Sequence, residues 1–406
     1  MEIISKEYDE EFLKTVFEKL GGEVILGVPL GAGKPNIFVN HLYDYAKKNP
    51  ELSLTICTAL TLQKPAGSHW LEKRFIDCFK DRIFGNYPDL TYELDRVRQN
   101  LPKNIKVLEF YFPPGKYLRL NQSQQNYISS NYTHVCRDLV DRGVNLIAAM
   151  VSEEDGEYSY SSNADVTGDM ITQLEKMDRK FLTVFQVNRN LPFMYGEAII
   201  EKTKIHYLLD HPGNEYDIFA PPRMSISNAD FLIGHYASAL VKDDGELQVG
   251  IGSLGDSVIY NLVLKHKENE VYRSLAHHLK LEKKFDDIIK RIGSLSPFEK
   301  GLFGATEMMV DGFMHLFKAG ILKKKVYDHP ALQRLINSET INPDKLKLED
   351  FTALEDKGVI KFPLNETDFN FLKYWGFLKT TEDYLSEKNY INPAYIGERL
   401  EHGHLM

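Results

Sequence analysis

Apolar positions follow two alternating rhythms along the first half of the chain. Residues 9–20 carry them at helical spacing, and residues 23–27 form a short apolar run of strand type. A glycine-rich turn follows, and then a second helix with Ile37, Leu42, Tyr45 and Ala46 facing inward. Further strands are expected at 52–57, 105–110, 145–151 and 181–187, with helical stretches at 71–79 and 130–142 between them. Strand alternating with helix predicts a mainly parallel sheet covered on both faces. Residues 155–169 are rich in Ser, Gly, Asn and Asp and read as a loop.

Pro212-Gly213 and Pro221-Pro222 mark a boundary between two halves. The second half opens as the first does, with a helix at 229–240, a strand at 246–249, a turn at 250–255 and a helix at 256–265. The order strand, glycine turn, helix thus occurs once in each half, a sign of two related α/β modules. Residues 269–291 are charged and helical, and the chain after 323 is polar and helical with short breaks.

Composition narrows the function. A chain of 406 residues exceeds one ordinary core, so two domains are expected. Its 49 basic and 58 acidic residues give a net charge of -9, which argues against a nucleic-acid binder. Cys57, Cys78 and Cys136 are too scattered for a disulfide framework or a zinc site. No apolar run is long enough to span a bilayer, and the amino terminus lacks the basic-then-apolar pattern of a leader. No membrane partner is expected, and the chain reads as cytoplasmic.

Both glycine turns approach familiar motifs and miss them. Gly27 to Lys34 resembles a P-loop, but the spacing is one residue off and Pro35 stands where Ser or Thr must reach magnesium. Gly250 to Gly255 fits G-x-G-x-x-G between a strand and a helix. No second strand ending in an acid follows at the distance a dinucleotide site needs. Glycine turns that open helices expose backbone N–H groups to a pyrophosphate or an oxyanion, and they also serve as plain packing turns. Both readings stay open.

Residues 301–320 hold the most pointed candidate. Glu307 sits among glycines and apolar side chains just before an expected helix. Met309, Phe313 and Phe317, with Val310 and Met314, form an apolar face at spacings of four, and Gly320 falls at a left-handed stop. A carboxylate beside Gly304 and Ala305 is reachable, and a poorly hydrated acid is a better nucleophile. Alternatively, Glu307 favours the helix dipole and Thr306 is the cap.

Several segments together resemble the acetyl-CoA hydrolase/transferase family, of the 4-hydroxybutyrate CoA-transferase kind. They are Gly27-Val28-Pro29-Leu30-Gly31-Ala32-Gly33-Lys34-Pro35, Asn131-Tyr132-Thr133-His134, the run from Gly245 to Gly252, Thr306-Glu307-Met308, Asp311-Gly312 and Ala319-Gly320-Ile321-Leu322. The resemblance implies an α/β fold of two tandem CoA-transferase-like domains of the NagB/RpiA type, the second incomplete. Residues 1–215 would form the first domain, 216–325 the start of the second, and 326–406 a mostly helical insertion or extension.

It also implies that Glu307 is the nucleophile, that Gly250 and Gly252 line a CoA channel, and that Gly31 and Gly33 lie near the acyl group. Asn188 joins the pocket. The substrates would be an acyl-CoA thioester and a small carboxylate, with no bound cofactor and no metal, and a homodimer is compatible. The family's carboxyl-terminal G-x-G-G segment is not found, so a truncated chain is expected, with its own activity open. An acyl-CoA-binding module without turnover and a dinucleotide-dependent oxidoreductase are the alternatives.

Overall fold

The computed structural model describes residues 1–5, 10–163, 166–219, 225–306, 310–379 and 393–406. The chain divides into two compact units, Met1–Pro221 and Pro222–Met406.

The first unit contains strands β1 (Glu2–Ile4), β2 (Glu23–Gly27), β3 (Ser53–Thr58), β4 (Ile105–Glu109), β5 (Leu146–Glu154), β6 (Glu157–Ser159), β7 (Leu182–Val187) and β8 (Tyr207–Leu209). Its helices are α1 (Glu10–Lys19), α2 (Asn36–Lys48), α3 (Trp70–Phe84), α4 (Thr91–Val97), α5 (Asn121–Gln125), α6 (Val135–Asp141) and α7 (Thr167–Lys176). The sheet order is β1-β8-β7-β5-β2-β3-β4, with every neighbour in that path parallel and β6 antiparallel to β5.

Strand alternation builds two cores. On one face Val24, Leu26, Leu54, Ile56, Leu146, Ala148 and Val184 pack with Phe12, Val16 and Phe17 of α1 and Phe38, Val39 and Leu42 of α2. On the other, Ile147, Ala149, Val151, Phe185 and Val187 pack with Val135 and Leu139 of α6 and Met170, Ile171 and Leu174 of α7. Successive side chains point to opposite faces, and both faces are covered, as the expected parallel sheet requires. In β5 the first seven residues are all buried, so it lies at the centre of the layer.

The second unit contains β9 (Glu246–Gln248) and β10 (Phe303–Ala305), paired in parallel. Helices α8 (Asn228–Ser238), α9 (Ser253–Lys267), α10 (Asn269–His278), α11 (Leu281–Ile292) and α12 (Asp311–Lys318) surround them. Helices α13 (Pro330–Asn337), α14 (Glu349–Asp356) and α15 (Glu366–Tyr374) follow around a separate apolar cluster that includes Leu332, Leu354, Leu372, Trp375 and Phe377. Residues 404–405 return to the strand pair: His404 and Val326 exchange backbone hydrogen bonds, and Gly304 N–H donates to Leu405 O at 3.0 Å. No helix among the described residues is long and apolar enough to cross a membrane.

Three local expectations change. Residues 155–169 are not one loop, because β6 folds back on β5 and α7 starts at Thr167. The helix after Glu307 begins at Asp311 and buries Gly312, Phe313 and Leu316, leaving Met314 and Phe317 about half exposed. Its apolar stripe is therefore 313, 316 and 319 rather than a spacing of four. Gly320 does take the left-handed stop, at φ 74°, with its N–H on Phe317 O.

Candidate active site

In the second unit the parallel pairing of β9 with β10 brings two carboxyl ends side by side. The turn carrying Gly250 and Gly252 leaves β9, and Thr306 leaves β10. Thr306 Oγ1 donates to Val249 O at 3.4 Å, so the residue before Glu307 is tied to the residue before Gly250. The hydroxyl thus joins two strand ends. Glu307 and Met308 themselves lie outside the described residues, as does Met309.

The glycines of this turn do different things. Gly252 holds φ 119° and ψ 165°, a conformation essentially restricted to glycine, and it is the residue from which α9 starts. A Cβ on Gly255 would lie 2.4 Å from Gly250 O, so the first helical turn needs glycine to approach the loop. Gly250 meets nothing within 4 Å of a Cβ position, which leaves open space in front of it. The open N-terminus of a 15-residue helix then faces that space with its early N–H groups.

Helix α9 is held from behind by a polar stripe. Gly234 of α8 lets the two helices cross closely, since a Cβ there would lie 2.7 Å from the Ser257 carbonyl carbon. Ser257, Asn261 and Lys265 recur every four residues and are fully buried. Ser257 Oγ donates to Asp230 O at 2.8 Å, and Asn261 Nδ2 donates to Phe231 O and Ser257 O. His235 Nδ1 meets Asn261 Oδ1 at 3.0 Å, so Nδ1 carries the proton, and Nε2 has no partner. Burial holds that imidazole below its usual range. Lys265 Nζ donates to Val241 O at 2.7 Å and Ser238 O at 3.3 Å. Burial pushes its ammonium down to about 7, with Asp243 acting the other way.

In the first unit the glycine turn occupies the place where the sheet changes direction. β3 and β4 extend from one side of β2, while β5, β7 and β8 extend from the other. Crevices outside the carboxyl ends of strands at such a point are where open α/β sheets bind ligands. The turn after β2 carries Gly31 and Gly33. A Cβ on Gly31 meets nothing, whereas one on Gly33 would lie 1.9 Å from Asn163 Cγ. Met150 N–H of β5 donates to Gly33 O at 2.9 Å, pinning the turn to the neighbouring strand.

Lys34 has no resemblance to a phosphate-reaching lysine. It is 1% exposed, and its Nζ donates back to Leu30 O and Gly31 O, each at 3.0 Å. In the sequence Lys34 belongs to a failed P-loop and to the Gly27–Pro35 segment of the resemblance, and a lysine inside a glycine turn is the signal available. Asn163 carried no signal at all.

Asn188, expected at the pocket, is fully buried at the end of β7. Its Nδ2 donates to Tyr216 O at 2.8 Å and its Oδ1 accepts from Asn190 N–H at 3.0 Å. Both ends of the amide are thus engaged at the carboxyl edge of the sheet. Tyr216 completes that frame, since its hydroxyl donates to Lys34 O at 2.7 Å.

No other strand intervenes between β9 and β10 among the described residues, and the chain runs through α9, α10 and α11 before β10 begins at Phe303. A dinucleotide fold brings its next strand and acid about 20 residues after the glycines. The G-x-G-x-x-G turn lacks that geometry. Among the described residues no group of three or more His, Cys, Asp or Glu could hold a metal.

Comparison with known proteins gives a partial similarity. The 4-hydroxybutyrate coenzyme A transferase of Clostridium kluyveri is 29% identical over 191 residues, which are 46% of this chain and 34% of that protein. Over that stretch the chain is similar to 4-hydroxybutyrate CoA transferase. RipA from Yersinia pestis shares the fold, with TM-score 0.51 and 18% identity over 79% of this chain and 59% of RipA. No family model matches the chain. It spans about a third of the transferase and less than two thirds of RipA. Gly31, Gly33, Gly250 and Gly252 all lie in turns at strand carboxyl ends, and Asn188 directly follows β7.

Proposed function

We propose that the chain transfers CoA between an acyl-CoA and a carboxylic acid, with hydrolysis when water takes the acceptor's place. The observation that carries this reading is the Thr306–Val249 hydrogen bond, which sets the segment leading into Glu307 beside the open Gly250–Gly252 turn. The similarity to a CoA-transferase supplies the chemistry.

In the proposed sequence a Glu307 carboxylate oxygen attacks the thioester carbonyl carbon. The C–S bond breaks and CoA leaves as a thiolate, giving a glutamyl–acyl anhydride. The thiolate then attacks the glutamyl carbonyl and releases the first carboxylate, which leaves a glutamyl-CoA thioester. An incoming carboxylate displaces CoA to form a second anhydride. Thiolate attack on its acyl carbon yields the new acyl-CoA and regenerates Glu307. Gly250 and Gly252, with the N–H groups that open α9, hold the CoA pyrophosphate in this reading. Each oxyanion along the path needs preorganised N–H donors, and loss of one such donor lowers turnover about a hundredfold or more. The proposed active form acts in the cytoplasm, and two copies are compatible with the site.

The experiment is CoA exchange between acetyl-CoA and a second carboxylate, with Glu307→Gln as the control. The variant is expected to lose at least about a thousandfold in turnover while binding CoA as the parent does. A parent chain that binds CoA but exchanges nothing would make it an acyl-CoA-binding module. Near-parental turnover in Glu307→Gln would remove Glu307 from the mechanism.

A further inference from the structure

We propose that α3 is the docking surface for a second copy of this chain, through an antiparallel pairing of α3 with α3. The inference stands apart from the CoA-transferase reading, since it uses no residue of the candidate site. α3 is 15 residues long and buries none of its side chains, whereas α2, with 13, buries Phe38, Val39, Leu42, Tyr43 and Ala46. It is fixed at its two ends. His69 accepts from Glu72 N–H, and the Phe84 ring lies 4.6 Å from that of Phe219. Between them Leu71, Phe75, Cys78 and Arg82 are exposed, Phe75 by 72%, while Ile76, Phe79, Lys80 and Ile83 are half-buried. The exposed four recur at spacings of four, three and four, the rhythm of a coiled-coil seam, with the stem of Arg82 as its last apolar part. Single apolar side chains on a surface carry no meaning, but a line of them along one helix marks a contact.

Charge selects the occupant and its direction. In an antiparallel pair related by a twofold axis, Phe75 faces the partner's Cys78 and Leu71 faces the partner's Arg82. Arg74 and Asp81 sit one heptad apart on the same flank of that seam. The axis sets each Arg74 against the partner's Asp81, so one pair of residues forms two opposite-charge contacts. A parallel pair would instead stack Arg82 on Arg82 and set Arg74 beside Phe79. Arg74 is already held on its flank, with its guanidinium 5.7 Å from the Trp70 ring. An anionic membrane fits less well, because Glu72 and Asp81 border the same seam. One helix of about 22 Å offers less than a standard interface, so the dimer is expected to be weak, with Kd of about 10–100 μM.

The test is sedimentation velocity of the full chain from about 1 to about 500 μM, in reducing buffer so that Cys78 cannot form a disulfide. The parent is expected to show a monomer–dimer equilibrium. Phe75→Glu changes an exposed position, so it is expected to fold as the parent does and to weaken the dimer at least about tenfold. Arg74→Asp and Asp81→Arg are each expected to weaken it by about threefold to tenfold, and the double variant to return within about twofold of the parent. That recovery is the readout that another interface would not give. A parent that stays monomeric at every concentration, whether or not it binds vesicles of anionic phospholipid, overturns the inference. So does a dimer indifferent to Phe75→Glu, or a double variant that does not recover.

Discussion

The two glycine turns follow the same local order and are held in different ways. After β2 the turn is filled from within: Lys34 ties its carbonyls, Asn163 presses on Gly33, and β5 holds it from the side. After β9 the turn is open in front, with Gly250 facing space and Gly252 in a glycine-only conformation. The helices behind them differ as well. α2 buries Phe38, Val39, Leu42 and Ala46, whereas α9 buries Ser257, Asn261 and Lys265 on one line. Glycine content alone therefore does not say whether a turn is a socket or a frame. What the neighbouring side chains do with its peptide planes decides it.

Breaking the second turn has the largest expected effect on stability. Gly255→Ala sets a methyl group 2.4 Å from a backbone oxygen that cannot rotate away. It is expected to destabilise the protein by about 2–3 kcal/mol in urea unfolding and to abolish CoA binding. Gly33→Ala meets the end of a side chain instead, so it should cost about 1–2 kcal/mol, and adding Asn163→Ala should recover most of that. A Gly33→Ala protein that Asn163→Ala does not rescue would show that the first turn is closed by something other than Asn163.

The helices behind the turns differ in how they answer pH. Lys265 has a folded value of about 7 against an ordinary 10.5, so between these the unfolded chain binds more protons than the native one. Stability from this residue therefore rises as pH increases from about 7 toward about 10, by on the order of 1 kcal/mol per unit within that window. Urea midpoints measured across it should climb more steeply in the parent than in Lys265→Met. Equal slopes would place the ammonium in contact with solvent. Gly250→Ala is the smallest perturbation. It should leave the urea midpoint unchanged within about 0.5 kcal/mol and weaken CoA binding alone, because no protein atom lies within 4 Å of its Cβ position and the proposed pyrophosphate would sit there.

Much of this architecture is written in the residues. β2, β3, β4, β5 and β7 are strands of five residues or more rich in apolar side chains, so their existence and mainly parallel pairing were legible. β1, β8 and β10 have three residues each, too few to carry a period, and they exist because neighbouring strands offer partners. The α12 stripe was misread because Met314 and Phe317 are apolar yet outward-facing, and apolar side chains on a surface carry no mark of it. At the candidate sites the glycines were legible as helix-opening turns, but not whether each serves a ligand or packing. The fixing groups were not: Lys34 turns back on its own loop, and Asn163 meets Gly33 across 129 residues of intervening chain, a contact that only the fold brings about. Asn188 looked like a pocket residue because polar groups at strand ends often are. Tyr216, brought in by the chain after β8, takes up its amide instead.

The most direct test of the proposed chemistry is chemical trapping. The protein is incubated with acetyl-CoA, reduced with borohydride, digested and mapped by mass spectrometry. The account predicts that the glutamyl-CoA thioester is reduced to an alcohol at Glu307, with no such change at that residue when acetyl-CoA is omitted. A modification on another residue, or an unmodified Glu307 in a sample that is exchanging CoA, would contradict it.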